Sequence, residues 1–124
     1  MRYHKITPEV LSKISAIVNG EVFSNKEDLL CFSYDALNQR YLPEAVAFAK
    51  TTEQVSRLLR LANQYVFPVI PRGSGSGFTG GSLAVEGGLI LCLTKMNNIV
   101  SIDTDNLVAE VEPGVITGDL QAQV

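Results

Sequence analysis

The stretch PRGSGSGFTGG, residues 71–81, contains five of the ten glycines in this 124-residue chain and a single charged side chain, Arg72. Each glycine loses more backbone freedom on folding than any other residue, at a cost of about 0.5–1 kcal/mol relative to alanine. A loop that only reverses the chain direction can be as short as about two residues. The stretch therefore predicts a backbone shaped to bind a ligand, with a ligand-free surface turn as the alternative.

The spacing of these glycines favours an anionic ligand. Gly73, Gly75 and Gly77 allow successive backbone N–H groups to face one concave surface, and such surfaces bind phosphate oxygens. Hydroxyl groups at positions 74, 76, 79 and 82 add donors, and Arg72 is the only cation between Arg60 and Lys95. One arginine with many amides suits a pyrophosphate better than a magnesium-bound triphosphate.

Two named phosphate-binding motifs do not explain the loop. A P-loop requires Gly-Lys-Ser/Thr, and the nearest downstream lysine is Lys95. The dinucleotide pattern G-x-G-x-x-G is matched by Gly75, Gly77 and Gly80, with Asp103 as a candidate ribose ligand. That motif must open a helix, however, and the segment SLAVEGG at 82–88 is too short and too rich in glycine to form one.

The flanking segments predict a strand–helix–strand unit with parallel strands. A buried strand begins at Ala45, a helix capped by Thr51 or Thr52 follows, and VFPVIP at 66–71 forms the second strand. The glycine loop then leaves the carboxyl end of this strand, where ligands usually bind in open α/β sheets. The apolar stripe of the helix is predicted to consist of Val55, Leu58, Leu59, Ala62 and Tyr65.

The rest of the chain completes the prediction of an α+β fold whose first part has α/β character. A helix follows Thr7 and stops near Gly20, a short helix is capped by Ser24, and a third strand lies in GGLILCLTKM at 87–96. Residues 98–114 then form a hairpin, and a last helix ends without a cap. We therefore expect a small parallel sheet flanked by helices, followed by the beginning of an antiparallel sheet, in a fragment of a longer protein.

Composition limits the classes of partner and site. The net charge of −3 argues against nucleic acid, and no apolar run is long enough for a transmembrane segment. We expect a cytoplasmic protein, with peripheral attachment to the inner face of a membrane left open. Cys31 and Cys92 lie in apolar surroundings and are predicted to be buried and reduced. His4 is the single histidine, which argues against a zinc site or a histidine-centred catalytic site built by this chain alone.

The combined pattern resembles the FAD-linked oxidases of the vanillyl-alcohol oxidase/p-cresol methylhydroxylase (PCMH) type. Their signature is a strand ending in proline, then Arg-Gly-x-Gly-Thr or Ser, further glycines and a direct return into a strand. Here it reads PVIPRGSGSGFTGG at 68–81, followed by 87–103 and by VAEVEPGV at 108–115. Within this type, the likeness is greatest to glycolate oxidase D subunits and D-lactate dehydrogenases. It covers about residues 33–124 and implies that they are the first part of a PCMH-type FAD-binding domain, which leaves residues 1–32 as an N-terminal helical segment.

The resemblance implies a set of cofactor-binding residues. The backbone from Arg72 to Gly77 would hold the FAD pyrophosphate, while the side chain of Arg72 would either contact the phosphates or brace the loop. Ser76 stands where some relatives carry a histidine bonded to the flavin, which implies non-covalent FAD. The implied residues are Pro71, Arg72, Gly73, Ser74, Gly75, Ser76, Gly77, Gly80, Gly81, Ser82, Pro113 and Gly114.

The resemblance also implies an activity for the longer protein. It would oxidise a small 2-hydroxy acid to a 2-oxo acid, with hydride transfer to FAD and electrons passed on to an iron–sulfur or other electron-transfer partner. The catalytic residues would lie beyond residue 124, so this fragment alone is expected to be inactive. Two alternatives stay open: a non-catalytic nucleotide- or anion-binding module, and an assembly domain with an empty loop.

Overall fold

The computed structural model of the chain describes residues 3–31, 42–73 and 87–123. The elements in these ranges, in chain order, are α1 (Pro8–Ile17), β1 (Val22–Phe23), α2 (Lys26–Leu30), β2 (Ala45–Phe48), α3 (Thr52–Tyr65), β3 (Val69–Arg72), β4 (Leu89–Cys92), β5 (Ile99–Asp103), β6 (Val108–Val111) and α4 (Thr117–Gln123).

The main sheet has the strand order β1-β2-β4-β3. Strand β4 lies between β2 and β3 and is parallel to both, with Leu89 opposite Ala45 on one side and Val69 on the other. Strand β1 pairs antiparallel with β2, which makes the sheet mixed rather than wholly parallel. The predicted strand–helix–strand unit is present, and the third predicted strand is inserted between the other two.

Helices cover both faces of this sheet. Alternate residues of a strand point to opposite faces, and the central strands β2 and β4 are buried on both. One face of β2 and β4 packs against α1 and α3, where Ile14 and Leu58 are fully buried. The other face packs against Leu29 of α2. The α+β fold class, with a small helix-flanked sheet followed by antiparallel strands, is confirmed.

Helix α3 begins as predicted but buries a different stripe. The Thr51 side chain caps it by accepting a hydrogen bond from the backbone N–H of Gln54 at 3.1 Å. Leu58, Leu61 and Ala62 are the buried residues, whereas Leu59 is 45% exposed. The spacings of Leu59 from Val55 and Ala62, four and three, fit the predicted stripe. The prediction for Leu59 is nevertheless wrong because the buried face is centred on Leu58, and Leu59 lies about 100° away from Leu58 around the helix axis.

Two predictions around α2 are also wrong. Asn25, not Ser24, caps this helix, and its side chain accepts from the N–H of Asp28 at 2.9 Å. Cys31 is exposed, whereas Cys92 is buried as predicted, and both are free thiols. Leu29 is the buried residue of this short helix, and Cys31, two positions further on in helical conformation, faces away from the sheet.

The predicted hairpin forms a separate two-stranded antiparallel sheet of β5 and β6. Asp103 closes its turn by accepting hydrogen bonds from the backbone N–H groups of Asp105 and Asn106 and from the Asn106 side chain, at 2.8–3.2 Å. The hydrogen bond from the Asn106 side chain is the main reason that the pKa of Asp103 lies below its ordinary value. Asp103 thus has a local role in the turn, consistent with rejecting the ribose-binding interpretation.

The proposed division into residues 1–32 and 33–124 stays a prediction. Its boundary falls in the segment 32–41, outside the described residues. Elements of the first segment contact the second: β1 pairs with β2, α1 packs against α3, and Leu29 of α2 packs against the sheet.

Candidate cofactor-binding site

The carboxyl ends of the three parallel strands meet at one edge of the main sheet. Phe48 of β2, Cys92 of β4 and Arg72 of β3 are neighbours in register along this edge. The predicted binding loop leaves the edge at Gly73. Seven of the predicted site residues lie outside the described residues: Ser74, Gly75, Ser76, Gly77, Gly80, Gly81 and Ser82.

Strand β3 ends in Pro71 and Arg72. Of the strands that the structure describes, β3 is at the edge of the sheet, where a proline is tolerated because its missing N–H interrupts no ladder on the outer side. Arg72 is 8% exposed and is the one buried charged residue in the described parts of the chain. Its backbone carbonyl accepts a hydrogen bond from the N–H of Leu93 at 2.9 Å, which extends the pairing of β3 with the β4 segment.

Gly73 is exposed where the chain leaves the strand. A Cβ atom built on Gly73 would meet no heavy atom of the described residues within 4 Å. Within the described residues, nothing therefore crowds the Cβ side of the main chain at this end of β3. The sequence prediction that the loop opens onto a ligand is compatible with this geometry.

The turn that contains Pro113 and Gly114 packs against another turn, at 93–96. The N–H of Gly114 donates to the carbonyl of Met96 at 2.7 Å. A Cβ on Gly114 would overlap the carbonyl oxygen of Leu93 and would lie 2.7 Å from that of Met96 and 2.9 Å from that of Thr94. This contact within the protein requires glycine and was missed by the sequence analysis, which considered Gly114 only as a neighbour of the cofactor.

Glu44 and Gly88 form a second contact that the sequence analysis missed. The Glu44 carboxylate accepts from the N–H of Gly88 at 2.8 Å and from the N–H of Ile6 at 3.0 Å. Gly88 has a φ of +82°, and a Cβ there would overlap the ring of Pro68. The pair of glycines before β4, at 87 and 88, was the available sequence signal for this close approach.

Two lysines lie just after the carboxyl ends of β2 and β4. Lys95 Nζ is 2.8 Å from a carboxylate oxygen of Glu21 and 5.1 Å from the centroid of the Phe48 ring. Lys50 Nζ is 3.9 Å from the other oxygen of Glu21. The hydrogen bond and the charge of Lys95 lower the pKa of Glu21 below its ordinary value.

Comparison with known proteins identifies the family. The sequence profile of the family described as FAD binding domain matches residues 43–124. The chain belongs to this family. The match begins just before β2 and includes the glycine loop and the turn at Pro113 and Gly114, so the FAD binding domain contains all twelve predicted site residues.

Relatives extend the likeness over nearly the whole chain. Glycolate oxidase subunit GlcD of Bacillus subtilis is 39% identical over 117 residues, covering 93% of this chain and 25% of the relative. D-lactate dehydrogenase of Anaerostipes hadrus is 35% identical over 121 residues, covering 96% and 26%. The chain thus spans about a quarter of the length of these relatives.

A solved structure supports the same fold. p-Cresol methylhydroxylase with substrate bound aligns with a TM-score of 0.78 and 26% identity, over 95% of this chain and 25% of that one. The resemblance to PCMH-type FAD-linked oxidases and the FAD cofactor are thereby confirmed. Non-covalent attachment and the individual site residues stay predictions. No helix within residues 3–31, 42–73 and 87–123 is long and apolar enough to cross a membrane.

Proposed function

We propose that this chain is the cofactor-binding part of an FAD-dependent oxidoreductase that converts a small 2-hydroxy acid to the 2-oxo acid. The match of residues 43–124 to the FAD binding domain carries this proposal. The likeness to a glycolate oxidase subunit and to a D-lactate dehydrogenase supports the substrate class, because both names denote oxidation of a 2-hydroxy acid.

In this function the chain holds and orients the cofactor. FAD, when bound, supplies the hydride acceptor for oxidation of carbon 2 of the acid. The backbone amides from Arg72 to Gly77 bind the pyrophosphate, and Gly80, Gly81 and Ser82 complete the loop. Gly73 supports this assignment because no described residue would contact a Cβ built on it at the carboxyl edge of the sheet. We propose no residue of this chain as catalytic.

The side chain of Arg72 has two proposed roles at this site. It either contacts the cofactor phosphates or braces the loop from below. Its burial at the strand end is compatible with both, since a buried guanidinium needs hydrogen-bond partners in either case. The cytoplasmic location, attachment to the inner face of a membrane and electron transfer to an iron–sulfur or other subunit stay predictions.

Anaerobic reduction of the full-length protein tests the proposed function. The purified protein should be yellow and release FAD on acid denaturation. Its visible flavin absorption should bleach on addition of glycolate or D-lactate, and acetate or propionate, which lack the hydroxyl group, serve as matched controls. Release of FAD without bleaching by any 2-hydroxy acid would contradict the substrate class, and a colourless protein that ignores added FAD would favour an assembly role.

A further inference from the structure

We infer that Gly114 is a positioning residue for the FAD site, acting through the turn at 93–96 on the backbone from which the binding loop departs. This inference rests on the proposed placement of the FAD pyrophosphate on the loop that begins at Arg72. It assigns Gly114 an indirect role that follows from contacts between protein groups.

The first link joins the start of the loop to the end of β4. Arg72 is opposite Cys92 in the sheet, and its carbonyl accepts from the N–H of Leu93 at 2.9 Å. The last backbone group before Gly73 is therefore held by the first residue after β4. A displacement of Leu93 would be passed directly to the point where the loop leaves the sheet.

The second link is the turn at 93–96 itself. The N–H of Met96 donates to the carbonyl of Leu93 at 3.0 Å, which closes the turn. The Met96 side chain is buried in the main core together with Leu89 and Leu91 of β4. The carbonyl oxygens of Leu93 and Met96 both point toward Gly114, as the positions of its hypothetical Cβ show.

The third link is the docking of Gly114 on this turn. Its N–H donates to Met96 at 2.7 Å, and the base of the hairpin is held nearby by the N–H of Glu112, which donates to the carbonyl of Asn98 at 2.9 Å. The φ of Gly114 is not in the left-handed region, so its backbone conformation would allow a side chain. A side chain is excluded because its Cβ would overlap neighbouring carbonyl oxygens.

These contacts determine how Gly114 contributes to FAD binding. Its N–H is used by Met96, so Gly114 supports cofactor binding through position and not through an amide hydrogen bond to the ligand. Three carbonyl oxygens surround the place of a Cβ, and backbone atoms cannot move aside as the end of a flexible side chain can. Even alanine must therefore separate the two turns or displace Leu93 from Arg72.

The test uses Gly114→Ala in the full-length protein, with FAD affinity and hydrogen exchange as readouts. We expect the FAD dissociation constant to rise about tenfold or more and the quenching of flavin fluorescence to change. The Leu93 and Met96 amides should exchange faster while the helix amides of α3 keep their protection. Leu58→Ala is the control for general destabilisation, because Leu58 is a buried side chain of α3 and supplies none of the backbone contacts between the two turns, and it should leave the affinity of the folded protein unchanged.

A second variant keeps the inference falsifiable if Gly114→Ala does not fold. Glu112→Ala removes the carboxylate that accepts from the backbone N–H of Asn98 and from its side chain at the hairpin base. It should weaken FAD binding in the same direction but by a smaller factor, since Gly114 stays docked.

Unchanged affinity in folded Gly114→Ala, or in Glu112→Ala where the first variant cannot be purified, would overturn the inference. If Gly75→Val nevertheless abolishes FAD binding, the assignment of the pyrophosphate to the glycine loop would still stand. A protein that oxidises no 2-hydroxy acid but still shows these affinity changes would refute only the substrate class.

Discussion

The carboxylate of Glu21 lies 2.8 Å from the ammonium group of Lys95. This ion pair joins the residue before β1 to the turn after β4. The same carboxylate is 3.9 Å from Lys50, which follows β2. One acidic side chain thus partly neutralises two cations near the carboxyl edge of the main sheet, beside the strands from which the proposed FAD site is built.

The stabilising effect of Glu21 should depend on pH. Its pKa is lowered in the folded protein from an ordinary value of 4.5, chiefly by Lys95. The contribution is therefore present above the unfolded-state pKa and is lost as the pH falls through the folded-state pKa. Melting temperatures of the parent and Glu21→Gln should differ at neutral pH and converge in acid. An equal difference in melting temperature at neutral and at acid pH would show that the ion pair is not the source of the difference.

Gly75→Val should weaken FAD binding strongly while the fold survives. A branched side chain on this loop would block the approach of phosphate oxygens to the backbone amides. Isothermal titration of the apoprotein with FAD measures the effect, and circular dichroism checks the fold. Ser24→Val, at an exposed position outside the loop, controls for an added surface valine. Wild-type affinity in Gly75→Val would refute the pyrophosphate assignment.

Gly88→Ala and Gly20→Ala form a matched pair that separates the cost of a left-handed backbone conformation from the cost of steric overlap. Both glycines have a φ near +83°, but a Cβ at Gly20 meets nothing within 4 Å, whereas one at Gly88 overlaps Pro68. Gly20→Ala should lose about 1–2 kcal/mol of unfolding free energy through backbone conformation alone. Gly88→Ala should lose about 1–3 kcal/mol more through the overlap. Urea denaturation measures both, and equal losses would show that Pro68 moves aside freely.

The two cysteines should respond oppositely to thiol reagents and to truncation. Cys92 is buried in the sheet and Cys31 is exposed. Under native conditions one thiol per chain should react rapidly, and Cys31→Ala should remove that reaction. Cys92→Ala should destabilise the protein by about 1–3 kcal/mol through lost packing, whereas Cys31→Ala should stay within about 0.5 kcal/mol of the parent. Rapid reaction of both thiols in the folded protein would contradict the burial of Cys92.

Local patterns predicted the elements that have strong periodicity or clear caps. Thr51 and the helix that follows it, the apolar run at Ala45 and the hairpin turn at Asp103 all carry their signal within a few residues. Strand β1 has two residues and no alternating pattern long enough to detect, and it forms because β2 offers an unpaired edge. Cys31 was misjudged because an apolar neighbourhood in sequence does not fix the face of a short helix.

For the candidate site, a contiguous motif gave a prediction from sequence, whereas contacts between distant residues gave none. The glycine run after Pro71 identified the position of the loop at the carboxyl end of β3 from sequence alone. The requirement for glycine at 114 comes from carbonyl groups of the turn at 93–96, which lie about twenty residues earlier. Glu44 likewise joins Ile6 to Gly88, and Glu44 and Gly88 are more than forty positions apart in the sequence. No local sequence pattern encodes such pairings.

The place of β4 in the sheet has a consequence for biosynthesis. Of the described strands, β4 is the sole neighbour of β3, yet it is made after the whole glycine segment. While the chain emerges from the ribosome, Val69–Arg72 thus stays without its ladder partner until Leu89–Cys92 has followed. Translation pauses or chaperone contacts between these two points would act on a nascent chain whose glycine segment is already synthesised but whose adjoining sheet is incomplete.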